Sequence, residues 1–314
     1  MNNREFNLEI IAGPCSITPE NTEEITSEIA PIKTPEGNRA IYGTRVVGLK
    51  SRTSLDTNGS GMGIDYEIIK KCFEFSEQER KKLTLPSAEL AEKIATETGL
   101  LISSEIMIPH IQLQFFEQKE ILRGNFLPWN PAVNQLGWHL FEMNEFAKRN
   151  NWNIGIKHGK FLGKDPLELA NHPNFKGETT LEKVVLGLTA YVEGYPEDII
   201  IIHRGVDVPR NHDYRNAIAH EIMKRIKQKA PFAKMYFDPT HTIGPKMRHT
   251  IVDETISAMK LKVGEDFLYD GLLIEAGTSP TDSDEHVTIE ELQFLVKELS
   301  SFRKLRSPKD PSNR

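Results

Sequence analysis

The chain has 314 residues, with 39 lysines and arginines against 45 aspartates and glutamates, and a formal net charge of −6. This balance excludes a protein built around a strong positive field, as many nucleic-acid and anionic-membrane binders are. The chain has only two cysteines, no apolar run near the roughly 18 residues of a membrane span, and no signal-peptide core. We therefore expect a cytoplasmic protein without disulfides, with no nucleic-acid and no membrane partner.

Eight short apolar or β-branched runs occur along the chain, each followed by a longer polar segment. The runs cover residues 8–12, 45–49, 100–104, 125–129, 152–156, 198–202, 234–237 and 271–274. Helical patterns cover residues 18–30, 86–99, 115–124, 136–150, 180–195, 214–230, 249–263 and 288–302. Strands that alternate with helices predict parallel βα units.

The fold class that we expect is α/β, with all eight strands closed into one (β/α)8 TIM barrel. The barrel would cover residues 1–303, with no added regulatory domain, and a polar tail over 304–314 would be disordered. An open doubly wound sheet is the alternative, but no Gly-x-Gly-x-x-Gly follows the first run.

Polar or charged residues stand at the carboxyl end of every predicted strand, where the catalytic groups of a barrel converge. Six cations belong to this set: Arg45, Lys50, Arg52, Lys157, Lys160 and Arg204. Together they predict a pocket for one or two phosphates or carboxylates. For any one of them, a surface salt bridge is the alternative interpretation.

A second set of strand-end residues has the side chains of a mixed metal site. Cys15, His241 and Glu275 follow or end three different strands, and Asp282 and Asp284 come shortly after the last strand. A thiolate, an imidazole and a carboxylate suit a divalent metal ion such as Mn, Fe, Co or Zn. Taken alone, Cys15 or His241 is more often a buried structural residue.

The strand ends carry motifs that resemble those of the DAHP and KDO8P synthases. GPCS at 13–16 resembles the family's GPCS, KSRTS at 50–54 its KPRTS, SEI at 104–106 its TEV, and KHGKFL at 157–162 its KKGQFL. HRG at 203–205 resembles ERG, DPTH at 238–241 resembles DPSH, and GLLIE at 271–275 with SD at 283–284 resembles GLMIE…SD. Each motif alone is weak, but seven in the same order are specific.

The resemblance implies a (β/α)8 barrel that condenses phosphoenolpyruvate with an aldose phosphate. DAHP synthase is the leading case, acting on erythrose 4-phosphate in the shikimate pathway of aromatic amino acid biosynthesis. The implied metal ligands are Cys15, His241, Glu275 and Asp284, with Asp282 as the alternative because the spacing from Glu275 is shorter than in the family. Barrels of this family associate, so the resemblance also implies a homo-oligomer.

The resemblance also assigns roles to the cations. Arg45, Lys50, Lys157 and Arg204 would bind phosphoenolpyruvate, Arg52 and Thr53 would contact the phosphate of the second substrate, and Glu105 is a further substrate-binding residue. Cys15 and His241 would act in catalysis through the metal. Lys157 would transfer a proton if neighbouring cations lower its pKa.

Three departures from the family keep other functions open. Ser51 replaces the loop proline, residues 55–65 do not match the family's loop, and strand four offers no counterpart of the family's phosphate-binding arginine. Arg123 or Arg210 could replace that arginine. The alternatives are a KDO8P-like or sialate-synthase-like condensation with another acceptor, and a non-catalytic barrel that binds a phosphorylated metabolite.

Overall fold

Eight parallel strands close into a barrel in the computed structural model of the chain, which describes residues 7–48, 74–132, 137–159, 162–192, 199–208, 212–280 and 282–308. In chain order they are β1 (Glu9–Gly13), β2 (Gly43–Arg45), β3 (Leu101–Glu105), β4 (Phe126–Trp129), β5 (Ile154–His158), β6 (Ile199–His203), β7 (Lys234–Phe237) and β8 (Gly271–Glu275). Each strand pairs with the next, and β8 closes the barrel on β1, where Gly13 lies opposite Glu275. The predicted (β/α)8 barrel is confirmed.

The described α-helices lie between successive strands or, in one case, after the last strand. They are α1 (Pro19–Glu24), α2 (Glu77–Thr98), α3 (Pro109–Glu117), α4 (Gly137–Asn150), α5 (Leu167–Ala170), α6 (Thr180–Thr189), α7 (His220–Lys229), α8 (Pro239–Ile243), α9 (Ile251–Met259) and α10 (Ile289–Ser300). A π-helical turn (Ile25–Ile29) continues α1, and 3-10 turns cover Glu120–Leu122, Arg248–Thr250 and Ser283–Glu285. Two short antiparallel pairs, Val206–Asp207 with Asn216–Ala217 and Lys262–Val263 with Asp266–Phe267, were not predicted.

The helix predicted to begin at Pro86 begins at Glu77 instead. Ser76 forms a capping box with Glu79: the Ser76 hydroxyl accepts from the Glu79 N–H at 3.3 Å, and the Ser76 N–H donates to the Glu79 carboxylate at 2.7 Å. Pro86 lies inside α2, where it removes one backbone hydrogen bond. Gly99 ends the helix with a φ of 72°, as its position predicted.

Apolar side chains form two layers. The larger cluster lies between the strands and the helices, and a smaller one fills the barrel interior with residues such as Ile11, Leu127, Trp129 and Tyr236. Side chains alternate between the two layers along each strand. The last inward positions therefore lie at the carboxyl ends, where the sequence places its polar groups.

The part of the predicted tail that the structure describes, residues 304–308, lies beside β1. The Leu8 N–H donates to the Lys304 carbonyl at 2.8 Å, and the Arg306 N–H donates to the Leu8 carbonyl at 2.9 Å. Among the described residues, none of the helices combines the length and the apolar character that crossing a membrane requires.

Candidate active site at the carboxyl ends of the strands

Three buried side chains form a triad of metal-ligating atoms within 4.8 Å of one another: Cys15, His241 and Glu275. Cys15 follows β1 and Glu275 ends β8, which are neighbours in the barrel. His241 lies in α8, which begins directly after β7. Sulfur, imidazole nitrogen and carboxylate oxygen together fit a divalent transition metal, so the triad can hold the kind of ion that the sequence predicted.

Asp238 sets the orientation and the tautomer of His241. The Nδ1 of His241 lies 3.0 Å from the Asp238 carboxylate, which also accepts from the His241 backbone N–H at 3.3 Å. Because Nδ1 donates, the Nε2 lone pair is available, 3.5 Å from the Glu275 carboxylate. Burial lowers the pKa of His241 to about 3, so the imidazole is neutral, the form that binds metal.

Of the two aspartates that follow β8, the structure brings Asp282 to the triad. Its Oδ2 lies 3.3 Å from Cys15 Sγ, whereas Asp284 is exposed in the 3-10 turn Ser283–Glu285. Asp282 adopts a left-handed φ of 53°, and the turn begins there. Asp282, which the sequence analysis gave as the alternative metal ligand, is therefore the aspartate beside Cys15, and Asp284 is not.

Two buried ion pairs join inward-facing charges. Arg45 Nη2 lies 3.0 Å from Glu275 Oε1, and Lys157 Nζ lies 2.6 Å from Asp238 Oδ2. Burial lowers the pKa of Lys157, Asp238 opposes this, and the nearby Arg45 adds to it. The Asn130 side chain accepts from the Lys157 N–H at 2.9 Å and donates to the Lys157 carbonyl at 3.0 Å, so it positions the Lys157 backbone.

Several buried donors at this end of the barrel have no hydrogen-bond partner among the described residues. They are Arg45 Nε and Nη1, Arg204 Nη1 and Trp129 Nε1. The Asp207 carboxylate lies 3.8 Å from Arg204 Nη1, beyond hydrogen-bond distance. An unpaired buried donor is costly and rare in native proteins. Such a group of donors indicates a place for an anionic ligand rich in acceptor oxygens.

No protein-family profile matches the chain, and no curated protein matches it. A solved structure titled as a truncated form of 3-deoxy-D-arabino-heptulosonate 7-phosphate synthase from Thermotoga maritima matches with a TM-score of 0.60. The match covers 94% of this chain and 86% of that one, at 17% sequence identity. This likeness establishes a shared barrel fold.

Two residues near the triad were missed by sequence reasoning. Arg215 pairs with Glu285 and lies 3.9 Å from Asp282 Oδ2. Burial lowers the pKa of Arg204 to about 10, and the positive charge of Arg215 contributes. Arg215 precedes the short strand Asn216–Ala217, and no motif marks it.

His286 is the other missed residue. Its Nδ1 donates to the Gly277 carbonyl at 2.8 Å, and its Nε2 lies 4.0 Å from Glu275 Oε2. The Glu275 carboxylate therefore has Arg45 at Oε1 and the His286 imidazole near Oε2. The one signal in the sequence was its place in the segment after β8 that also supplies Asp282.

The remaining predicted residues divide by location. Seven of those that the structure describes are buried at this end of the barrel: Cys15, Arg45, Glu105, Lys157, Arg204, His241 and Glu275. Lys50, Arg52, Thr53, Lys160 and Arg210 lie outside the described residues. Arg123 precedes β4, and its side chain is 63% exposed, so it lies at the amino end and cannot replace the missing strand-four arginine.

A cavity of about 610 Å³ lies at the opposite, amino end of the barrel. The cations on its border are paired, because Lys234 and Arg306 both contact the Glu9 carboxylate and Lys227 lies 2.7 Å from Asp270. Among the described residues that line it, no buried side-chain donor lacks a partner. The carboxyl end is therefore the better candidate site.

Proposed function

We propose that the chain is a metal-dependent transferase that condenses phosphoenolpyruvate with an aldose phosphate. The products are a 3-deoxy-2-ulosonate phosphate and inorganic phosphate, and erythrose 4-phosphate is the leading acceptor. The observation that carries the proposal is the Cys15–His241–Glu275 triad beside unpaired donors of Arg45 and Arg204. The sequence motifs and the likeness in fold to the Thermotoga maritima synthase support it.

The two groups of residues suit the two substrates. Carbon 3 of phosphoenolpyruvate bonds to the aldehyde carbon, water adds at carbon 2, and the bond between carbon 2 and the phosphate oxygen breaks. Arg45 and Arg204 would hold the carboxylate and phosphate of phosphoenolpyruvate through charge-assisted hydrogen bonds. A divalent ion bound by the triad would supply Lewis-acid polarisation of the aldehyde oxygen.

Lys157 is the residue that we assign to proton transfer. Its side chain is 2% exposed, and Asp238 holds its Nζ at 2.6 Å. Burial lowers the pKa of Lys157, so its proton is released more readily than that of an exposed lysine. It would deliver this proton to the oxygen of the former aldehyde as the carbon–carbon bond forms.

The acceptor decides the pathway. Turnover with erythrose 4-phosphate would place the enzyme at the start of aromatic amino acid biosynthesis. Turnover with another aldose would keep the mechanism and give a KDO8P-like or sialate-synthase-like activity.

The second substrate's phosphate would bind Arg52 and Thr53, with Lys50 and Glu105 completing the substrate site.

The test is a turnover assay on protein loaded in turn with Mn, Fe, Co and Zn. Phosphate release is followed with phosphoenolpyruvate and a panel of aldoses and aldose phosphates. Cys15→Ala and His241→Ala should abolish release, whereas His249→Ala, which alters an exposed histidine, should retain it.

Release that survives chelation, or that His241→Ala leaves unchanged, would contradict the proposal. Metal bound at the triad without turnover of any acceptor would favour the non-catalytic, metabolite-binding barrel.

A further inference from the structure

The indole of Trp129 is a buried hydrogen-bond donor without an acceptor. Trp129 ends β4, is 0% exposed, and packs in the barrel interior with Leu127 and Ile202. Its Nε1 has no hydrogen-bond partner among the described residues. Buried tryptophan N–H groups normally find one, and in this chain Trp152 Nε1 donates to the Leu122 carbonyl at 2.8 Å.

Two cations of the candidate site contact this ring. The centroid of the Trp129 ring lies 5.7 Å from Arg45 Cζ and 5.9 Å from Lys157 Nζ. These cations pair with Glu275 and Asp238, so the indole touches one member of each buried ion pair. The ring that carries the unpaired N–H thus lies against these charged residues and not in the apolar layer under the helices.

The chemistry of the unpaired groups defines what they bind. Indole and guanidinium N–H groups donate and cannot accept. Trp129 Nε1 and the two unpaired nitrogens of Arg45 therefore need oxygen lone pairs, and the guanidinium charge favours an oxyanion. A competing acceptor is Glu105, the register partner of Trp129 on β3, whose Oε1 is also unpaired among the described residues.

We propose that the Trp129 indole N–H donates to a carboxylate or phosphate oxygen of the substrate. It would supply a neutral contact from the strand at which the sequence offers no cation. The inference deepens the proposed function and rests on it for the identity of the substrate, phosphoenolpyruvate. It makes Trp129 a substrate-binding residue that no sequence motif marks.

Calorimetric titration of the full chain with phosphoenolpyruvate, and separately with inorganic phosphate, tests the inference. Trp129→Phe keeps an aromatic ring and removes the N–H, so the affinity for phosphoenolpyruvate should fall about tenfold to a hundredfold. The variant also loses buried ring volume, so its unfolding temperature should fall by a few degrees, and binding is measured well below that temperature. Trp138→Phe is the matched control, since that side chain is 57% exposed, and it should bind like the wild type.

The outcomes separate the inference from the proposed function. An unchanged affinity of Trp129→Phe for phosphoenolpyruvate overturns the inference. That result is expected if the indole N–H donates to Glu105 and not to the substrate. Phosphate binding that Trp129→Phe weakens, in a protein that does not bind phosphoenolpyruvate, supports the donor and refutes the proposed function. A wild type that binds neither anion overturns the inference.

Discussion

Replacing Asp238 with asparagine removes a negative charge that two buried groups share. The Asp238 carboxylate is 0% exposed, 2.6 Å from Lys157 Nζ and 3.0 Å from His241 Nδ1. The amide keeps the volume of the side chain and leaves the Lys157 ammonium buried without its counter-ion. Removing one partner of a buried ion pair costs about 3–5 kcal/mol.

The cost has an upper limit, because Lys157 can lose its proton instead of staying charged without a counter-ion. Deprotonating a lysine costs about 1.4 kcal/mol for each pH unit between neutral pH and its ordinary pKa of 10.5, or about 5 kcal/mol in all. We therefore expect Asp238→Asn to lower the free energy of unfolding by about 3–5 kcal/mol at neutral pH. Lys157 then binds fewer protons in the folded than in the unfolded state, so the deficit shrinks as the pH rises toward 10.5.

Urea unfolding followed by circular dichroism, at neutral and alkaline pH, measures this effect. Asp238→Asn combined with Lys157→Met removes both charges and should be more stable than Asp238→Asn alone. Loss of the carboxylate behind His241 should also weaken cobalt binding about 10- to 100-fold. A single variant as stable as the wild type, or a double variant no more stable than the single one, would refute the reasoning.

Three further predictions concern other parts of the molecule. Arg215→Gln removes a positive charge 3.9 Å from Asp282 and should strengthen divalent-metal binding about tenfold, because that charge repels the metal ion; an unchanged dissociation constant in a cobalt titration would contradict this. Burial lowers the pKa of His139 to about 4 from 6.5, so its contribution to stability is lost as the pH falls through this range, because the unfolded chain takes up the proton. His139→Phe should reduce the pH dependence of urea unfolding by up to about 1.4 kcal/mol per pH unit, and an unaltered slope would argue against a neutral His139. Ser76→Ala removes the cap of α2 and should lower stability by about 1 kcal/mol in the same assay; no change would mean that the cap contributes nothing.

The strands of the barrel were predictable because strands buried on both faces read as continuous apolar runs. Ile199–His203 is such a run, and all five of its residues are buried. Helix boundaries were less predictable, since Pro86 is compatible with a helix start and with a helix interior. The capping box of Ser76 and Glu79 starts the helix at Glu77 and leaves Pro86 in its interior.

By itself, the sequence determined the barrel and the convergence of Cys15, His241 and Glu275, because parallel strands of a closed barrel bring their carboxyl ends together whatever the loops do. Tertiary structure alone decided which side chain of each strand end faces inward, since barrel closure sets the register and a shift of one residue reverses the facing. It therefore decided that the Trp129 ring lies against Arg45 and Lys157 while Asn130 holds the Lys157 backbone. It also decided which residues the connecting segments bring near the triad, Asp282, Arg215 and His286, because the paths of those segments follow from packing against the barrel and not from local sequence preference.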